Sequence, residues 1–298
     1  MSTVDLASLP APEVIKALSF EAILEQIVAD YVTRYPDAVD SIQLESDPVR
    51  KLLETVAYRE LALRARYNDE ARALLLAFST GSDLDHIGAT YYQEHRLVIT
   101  PENLSVSPPV AAVIESDGDY RQRLALKPES WSVAGPTNAY KWHAISTDGA
   151  IKDASVTCPQ GGTTQVYILN RSGNGTPTAG QLQAVRDKLN SDDIRPLSEE
   201  VLVSAPTIVN YSLDVALTLY PGPSTEIVTA AVQLALSSFA TTRHMLDADI
   251  IRSAIDAAAH VSGVKKVTIN APAADVVCGK HQAPFCTGIS IAIAGIES

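Results

Sequence analysis

The sequence predicts an α+β protein: a helical N-terminal third built on one long bundle-forming helix, followed by two small α+β domains. Three observations carry this. Between Pro48 and Gly81 no Gly or Pro interrupts a run of good helix formers. Beyond residue 100, short β-branched runs alternate with helical patterns and are punctuated by Gly and Pro turns. Helices and antiparallel strands in this order suggest two small α+β units. The implied domains are 1–100, 101–205 and 206–298.

The N-terminal third begins with Met1–Pro12, which reads as an extended arm. Ser19 is placed to cap a helix carrying Phe20, Ile23, Ile27 and Tyr31 on one face, stopped by Tyr35-Pro36. Residues 37–46 are a connector. Asp47-Pro48 then opens the long helix, with an acceptor side chain at the N-cap and a residue of fixed φ at the first helical position. Its expected length is about thirty residues, well beyond the globular mean. Thr80-Gly81 is its expected end, with Gly81 free to take the left-handed conformation. Ser82 or Asp83 is the expected cap of a short second helix through Leu84, Ile87 and Tyr91.

Along the long helix, Leu53, Glu60, Tyr67 and Leu74 recur every seven residues, and Val56, Leu63 and Glu70 form a second row three positions on. Together they make a heptad-like seam. Two seam positions are glutamates, flanked by Arg59, Arg64, Arg66 and Arg72. A helix that packs against another chain can use such ionic positions to set register and partner. The competing reading is the edge of an ordinary core-facing stripe.

After Arg96 the texture changes. LVITPENLSVSPPVAAVIESD, with Pro101, Pro108 and Pro109, reads as a boundary or arm. Asp117–Leu126 is a short helix ended by Lys127-Pro128. A further helix begins after Gly135-Pro136-Thr137 and carries Tyr140, Trp142 and Ile145. Ile151–Thr157 and Thr164–Asn170 alternate like a strand pair around Gly161-Gly162. A helix on Leu182, Val185 and Leu189 follows, then strands at Glu200–Ser204 and Thr207–Tyr220. Helices at Thr225–Ala240 and Asp249–Val261, and strands at Val264–Asn270 and Ile289–Ala294, complete the pattern.

Composition narrows the function classes. The chain has 298 residues, 46% of them hydrophobic and 19% charged, with a net charge of −12. That balance argues against nucleic acid or an anionic membrane as main partner, since both call for clustered Lys and Arg. Cys158, Cys278 and Cys286 fit a reducing compartment. MSTVDLASLP lacks the basic and apolar regions of a secretory leader, and no apolar run reaches membrane-spanning length, so no membrane insertion is expected.

Candidate chemistry is thin. Cys278, His281 and Cys286 are potential zinc ligands, but their spacing is not that of a paired site. Gly173-Asn174-Gly175 precedes a helix but lacks the Lys-Ser/Thr of a phosphate-binding loop, so a tight turn is the simpler reading. Asp83 and Asp85 sit at a helix start, where capping accounts for them. No HExxH or GxSxG pattern occurs. The residues call for no cofactor and no metal, and they point to no catalytic group.

Several segments are familiar together: VDLASLPAPEVIKALSFEAIL, YRE at 58–60, GSDLDHIGA at 81–89, RLVITP at 96–101, SVAGPTNAY, the NGTP turn, DIRPLSEEV, the YPGP break and AAHVSGVKKV. In this order they resemble the baseplate J-like family of contractile-tailed phages and phage-tail-like bacteriocins. The match extends nearly end to end, with a departure at Lys127-Pro128. The 81–89 segment supplies the family-motif turn: Gly81, Asp83, Leu84, Asp85 and Gly88. The resemblance implies a non-enzymatic wedge subunit, assembled in the bacterial cytoplasm, whose helical part bundles with a companion wedge subunit. Its α+β parts would meet further copies in a sixfold ring that holds the sheath, beside sheath-initiator and hub proteins. The alternatives are a cytosolic helical adaptor or, further off, a hydrolase using the 81–85 turn or the Cys/His tail.

Overall fold

A computed structural model describes Pro10, residues 19–222 and residues 224–297. The expected arm, Met1–Pro12, lies outside the described residues except for Pro10. The chain forms two compact units that divide between His95 and Arg96.

The first unit is helical. Helix α1 (Phe20–Arg34) starts where Ser19 Oγ accepts the amide of Ala22. Two short 3-10 turns lead to α2 (Pro48–Ala73), capped by Asp47, whose carboxylate accepts the amides of Val49 and Arg50 at 2.7 and 3.1 Å. Ile23 and Leu24 of α1, Ile42 of the connector, and Leu53 and Ala57 of α2 form the core, bordered by Ile27, Tyr31, Val49 and Leu61. The apolar contacts of α2 thus step by four residues: 49, 53, 57 and 61. This places them on one stripe of a straight helix.

Helix α2 is shorter than expected. It ends at Ala73, not at Gly81, and leaves Leu74 at its C-cap. Leu74-Leu75-Leu76 is continuous apolar sequence, and a continued helix would spread it over several faces. The chain instead turns tightly, with Ser79 N donating to Leu75 O at 2.9 Å, and buries Ser79. Helix α3 (Gly81–Ile87) follows, with Thr80 in the N-cap position. Ser82 and Asp83 lie inside it, which corrects the expected cap. Gly81 does take a left-handed φ of +53°, as the first residue of α3. A π-turn (Gly88–Tyr92) closes the unit at Gln93, itself left-handed.

The second unit opens with a small antiparallel pair, β1 (Val98–Thr100) and β2 (Val113–Ile114), where an arm was expected. Helix α4 (Asp117–Leu126) matches its expected bounds, but Lys127-Pro128 does not stop the chain's turning: a 3-10 turn continues to Trp131. Helix α5 (Thr137–Ile145), β3 (Ile151–Gln160), β4 (Thr163–Asn170), α6 (Ala179–Leu189) and β5 (Glu200–Ser204) build a central lobe. Its core joins Tyr140 and Ala144 of α5, Val185 and Leu189 of α6, and Val166 and Ile168 of β4.

The C-terminal lobe comprises β6 (Thr207–Leu219), α7 (Thr225–Arg243), α8 (Arg252–Ala259), β7 (Val264–Ala271) and β8 (Gln282–Ile296). Alternate residues of β6, Leu213, Val215, Leu217 and Leu219, meet Val228, Val232 and Leu236 of α7 in its core.

Both three-stranded sheets are mixed, which corrects the antiparallel expectation. The orders are β3-β4-β5 and β7-β6-β8, each with one antiparallel and one parallel pair. In the central lobe α6 carries the chain back across the sheet so that β5 runs parallel to β4; in the C-terminal lobe α7 and α8 connect the antiparallel β6 and β7, and β7 itself returns the chain so that β8 runs parallel to β6. Strand β8 begins at Gln282, earlier than Ile289, because it runs beside Thr207–Tyr211 despite Pro284. Helix α8 starts at Arg252, later than Asp249, because Ile250 is engaged in a bridge to Val276.

Candidate docking interface

The open face of α2 is built from residues on the side turned away from the α1 core. Leu52, Val56, Leu63 and Tyr67 lie there, 61%, 45%, 48% and 50% exposed. Val56, Leu63 and Tyr67 line a shallow concavity with Arg59, Glu60 and Arg64. The acids of the expected seam are partnered within the helix: Glu60 with Arg64, and Glu70 with Arg66 at 2.8 Å. Glu60 precedes its arginine by four residues, the order that also suits the helix dipole; Glu70 follows its own. These pairs hold carboxylates and guanidinium groups beside an apolar strip.

Leu53 departs from the seam. It is 9% exposed and sits in the core against α1. Over the two repeats from Leu53 to Tyr67 a heptad column slips by about 40° on a straight helix, and Tyr67 lies beyond the Val49–Leu61 span that packs in this core. The position that heptad counting missed is Leu52. Its signal was the spacing 52, 56, 63, 67, an eleven-residue pattern that stays on one face of an unsupercoiled helix. Leu74 is exposed too, but beyond the helix end.

The 81–89 motif is split by burial. Leu84, Ile87 and Gly88 are buried, whereas Gly81, Asp83 and Asp85 stand at the surface. The motif thus anchors the end of the unit through its apolar residues and Gly88.

Other familiar segments meet in space. Tyr140 of SVAGPTNAY donates its hydroxyl to Glu199 of DIRPLSEEV at 2.8 Å, and Thr164 donates to the same oxygen at 2.9 Å. Burial, and then the Glu199 carboxylate, push the Tyr140 hydroxyl well above the usual phenol range. Arg96 of RLVITP pairs with Asp117 at 2.6 Å and stacks over Tyr120. Beside it Arg123 and Glu115, each 1% exposed, form a two-pronged pair at 2.8 and 3.0 Å. This cluster ties the start of the second unit to α4.

The chemical candidates are not assembled. Cys278 is buried and Cys286 half-buried, and among the described residues no three His, Cys, Asp or Glu side chains converge as metal ligands would. The 173–175 stretch is a turn with two left-handed glycines. The α6 N-terminus behind it is closed by its own capping box, Thr178 with Gln181. Among the described residues no helix is long and apolar enough to cross a membrane.

Two further surfaces went unread in the sequence. Helix α7 carries no charge between Glu226 and Arg243, and its outer side exposes Ile227 and Leu234. Strand β8 is an edge strand, paired only with β6 among the described residues, and has no charged residue from Gln282 to Ile296. The opposite edge, β7, has Lys265 and Lys266, the usual protection of a free edge.

Open apolar helix faces and an unprotected strand edge are features of a structural subunit that completes its packing within an assembly. Comparison with known proteins agrees. Residues 45–103 match the baseplate J-like N-terminal domain, 132–205 the baseplate J-like central domain and 211–292 the baseplate J-like C-terminal domain. The chain is 44% identical over 302 residues to baseplate protein J of Escherichia phage P2, covering 100% of both chains. A chain of the anti-feeding prophage baseplate is 12% identical, with a TM-score of 0.38 over 65% of this chain and 49% of that one, a likeness too distant to carry an argument. The chain belongs to the baseplate J-like family and is a baseplate structural protein.

Proposed function

We propose that this protein is a wedge subunit of the baseplate of a contractile injection apparatus, a phage tail or a tail-like bacteriocin. In this reading the open face of α2 bundles with a companion wedge subunit. Leu52, Val56, Leu63 and Tyr67 supply the apolar contact, while Glu60 and Glu70, already paired with arginines, set register at its rim. The single observation that supports it most is that this strip stays half-exposed while the neighbouring stripe of the same helix is buried in its own core. An apolar stripe on each of two sides of one helix calls for a second partner.

The α+β lobes then meet neighbouring copies in a sixfold ring around hub and sheath-initiator proteins. The divisions 1–100, 101–205 and 206–298 act as the modules of that arrangement. Exposed Ile227 and Leu234 of α7 and the bare edge of β8 are the surfaces this reading assigns to such contacts. The protein works mechanically, without catalysis or cofactor, is assembled in the bacterial cytoplasm, and helps hold and trigger the sheath.

The test is co-purification of Val56→Ala/Leu63→Ala protein with the companion subunit, together with electron microscopy of the particles it forms. Loss of the complex with an unchanged thermal melt is expected. Normal particles from this variant would remove α2 from the interface.

A further inference from the structure

The central and C-terminal lobes of the second unit meet at a small joint centred on His244. The chain passes between them through the short Ala205–Pro206 link. Across the joint, Lys152 Nζ donates to Thr241 O at 2.8 Å, and Leu246 N donates to Asp153 Oδ2 at 3.0 Å. Leu169 of the central lobe packs with Leu246 and Ala283 of the C-terminal one. Tyr167 and Ile208 border this cluster, and the Tyr167 ring lies 6.0 Å from that of His281.

His244 caps the end of α7 and is buried. Its Nδ1 lies 2.7 Å from Pro284 O, and since a carbonyl only accepts, Nδ1 carries the proton. Phe285 meets the ring edge-on at 5.4 Å. Nε2 is buried and has no hydrogen-bond partner among the described residues. It faces the turn at Gly175, where an added Cβ would stand 2.8 Å from Nε2 and would overlap Leu169 Cδ1. Gly175 has a φ of +91°, and its own N–H and C=O are already bonded to Ser172 and Asn170.

A second proton on this ring would go to Nε2. There it would find no acceptor among the described residues, and a cation would be buried unpaired. The surroundings do not compensate. From β3, Lys152, whose Nζ is held by Thr241 O, adds like charge, while Asp153 is engaged by Leu246 N and by Lys141 at 2.8 Å. From the 171–175 turn, Arg171 is directed to Asp119 and Gly149 O. From β8 come only Pro284 and Phe285. On the ring's own helix end, Arg243 lies over Phe239, and the nearest acid along the chain, Asp247, is exposed.

We infer that His244 is a proton-operated latch: neutral, it seals the C-terminal lobe onto the Gly175 turn; protonated, it parts the two lobes about the Ala205–Pro206 link. Burial, despite the bond to Pro284, holds the imidazole below its ordinary value of 6.5 in the closed state, and Lys152 lowers it further. The sign follows from linkage. The latch is fully effective above the ordinary value and is lost as pH falls toward and through the lowered one, because the open state binds the extra proton.

Hydrogen exchange on the full chain tests this, with rates corrected for intrinsic exchange. As pH drops below 6.5, protection of the Leu246 amide should fall by about tenfold per pH unit, the slope of a one-proton opening. Core amides of Val166 and Val215 should keep their protection. His244→Asn, which retains a donor toward Pro284 O and cannot titrate, should show no such slope. The inference is overturned if wild-type Leu246 protection stays level down to about pH 5. It is equally overturned if His244→Asn shows the same slope, or if all three amides lose protection together, which is global unfolding rather than opening. Should His244→Asn fail to fold, the wild-type contrast between Leu246 and the core amides decides alone.

Discussion

Replacing Val56 and Leu63 together by Ala separates docking from folding on one helix. Both side chains are about half exposed in the isolated chain. Fully burying a Val or Leu side chain is worth about 1.5–3 kcal/mol, so covering the remaining half contributes about 1 kcal/mol per residue on docking. The double variant should therefore weaken association by about 2 kcal/mol, or roughly 30-fold in Kd. Its own fold should lose little, because neither residue belongs to the α1–α2 core. Leu53→Ala is the matched control. That side chain is buried against α1, and its truncation should cost about 2–5 kcal/mol of the first unit's stability through transfer and cavity terms. The assay pairs a binding titration against the companion subunit with a thermal melt. The reasoning fails if the double variant binds as tightly as wild type, or if it melts as early as Leu53→Ala.

The fragment 96–298, which contains both sheets and their cores, should fold alone and show a cooperative melt; a featureless melt would mean that it depends on the first unit. Glu115→Gln removes the charge that faces Arg123 in this buried pair and should destabilise that fragment by about 3–5 kcal/mol in denaturant titration, whereas a loss below about 1 kcal/mol would show that the Glu115 charge contributes little. Gly149→Ala drives a methyl group into Val98 O, with the Val98 carbonyl carbon at 2.8 Å, and should cost about 1–3 kcal/mol and loosen β1; an unchanged melt would mean that β1 moves freely.

Burial decided how far the sequence was legible. Helix starts with a local mechanism, Ser19 and Asp47, stand where their acceptor side chains demand, because a cap is settled within three residues. The end of α2 was not local. The turn after Ala73 is closed by Ser79 N on Leu75 O and buries Ser79, and Gly81 only begins the next helix. Strand β5 was readable at both ends, whereas β8 was read only in its apolar second half. Its first half is a strand because Thr207–Tyr211 offers a ladder, a fact held far away in the chain.

The sequence by itself determined the class of fold, the long uninterrupted helix, the order of the helices and strands apart from the β1–β2 pair, and the family, since propensity, capping and motif order are properties of neighbours along the chain. The tertiary structure alone decided which stripe of α2 is covered. Leu52 and Leu53 are adjacent and identical in chemistry, yet α1 takes Leu53 and leaves Leu52 in solvent, because a turn of about 100° per residue puts them on different sides of the helix. It also decided that Glu115 meets Arg123, that Tyr140 meets Glu199, and that the unpartnered nitrogen of His244 comes to rest on Gly175. Each of these joins residues whose separation in sequence carries no local signal, and only packing brings their charges and volumes into register.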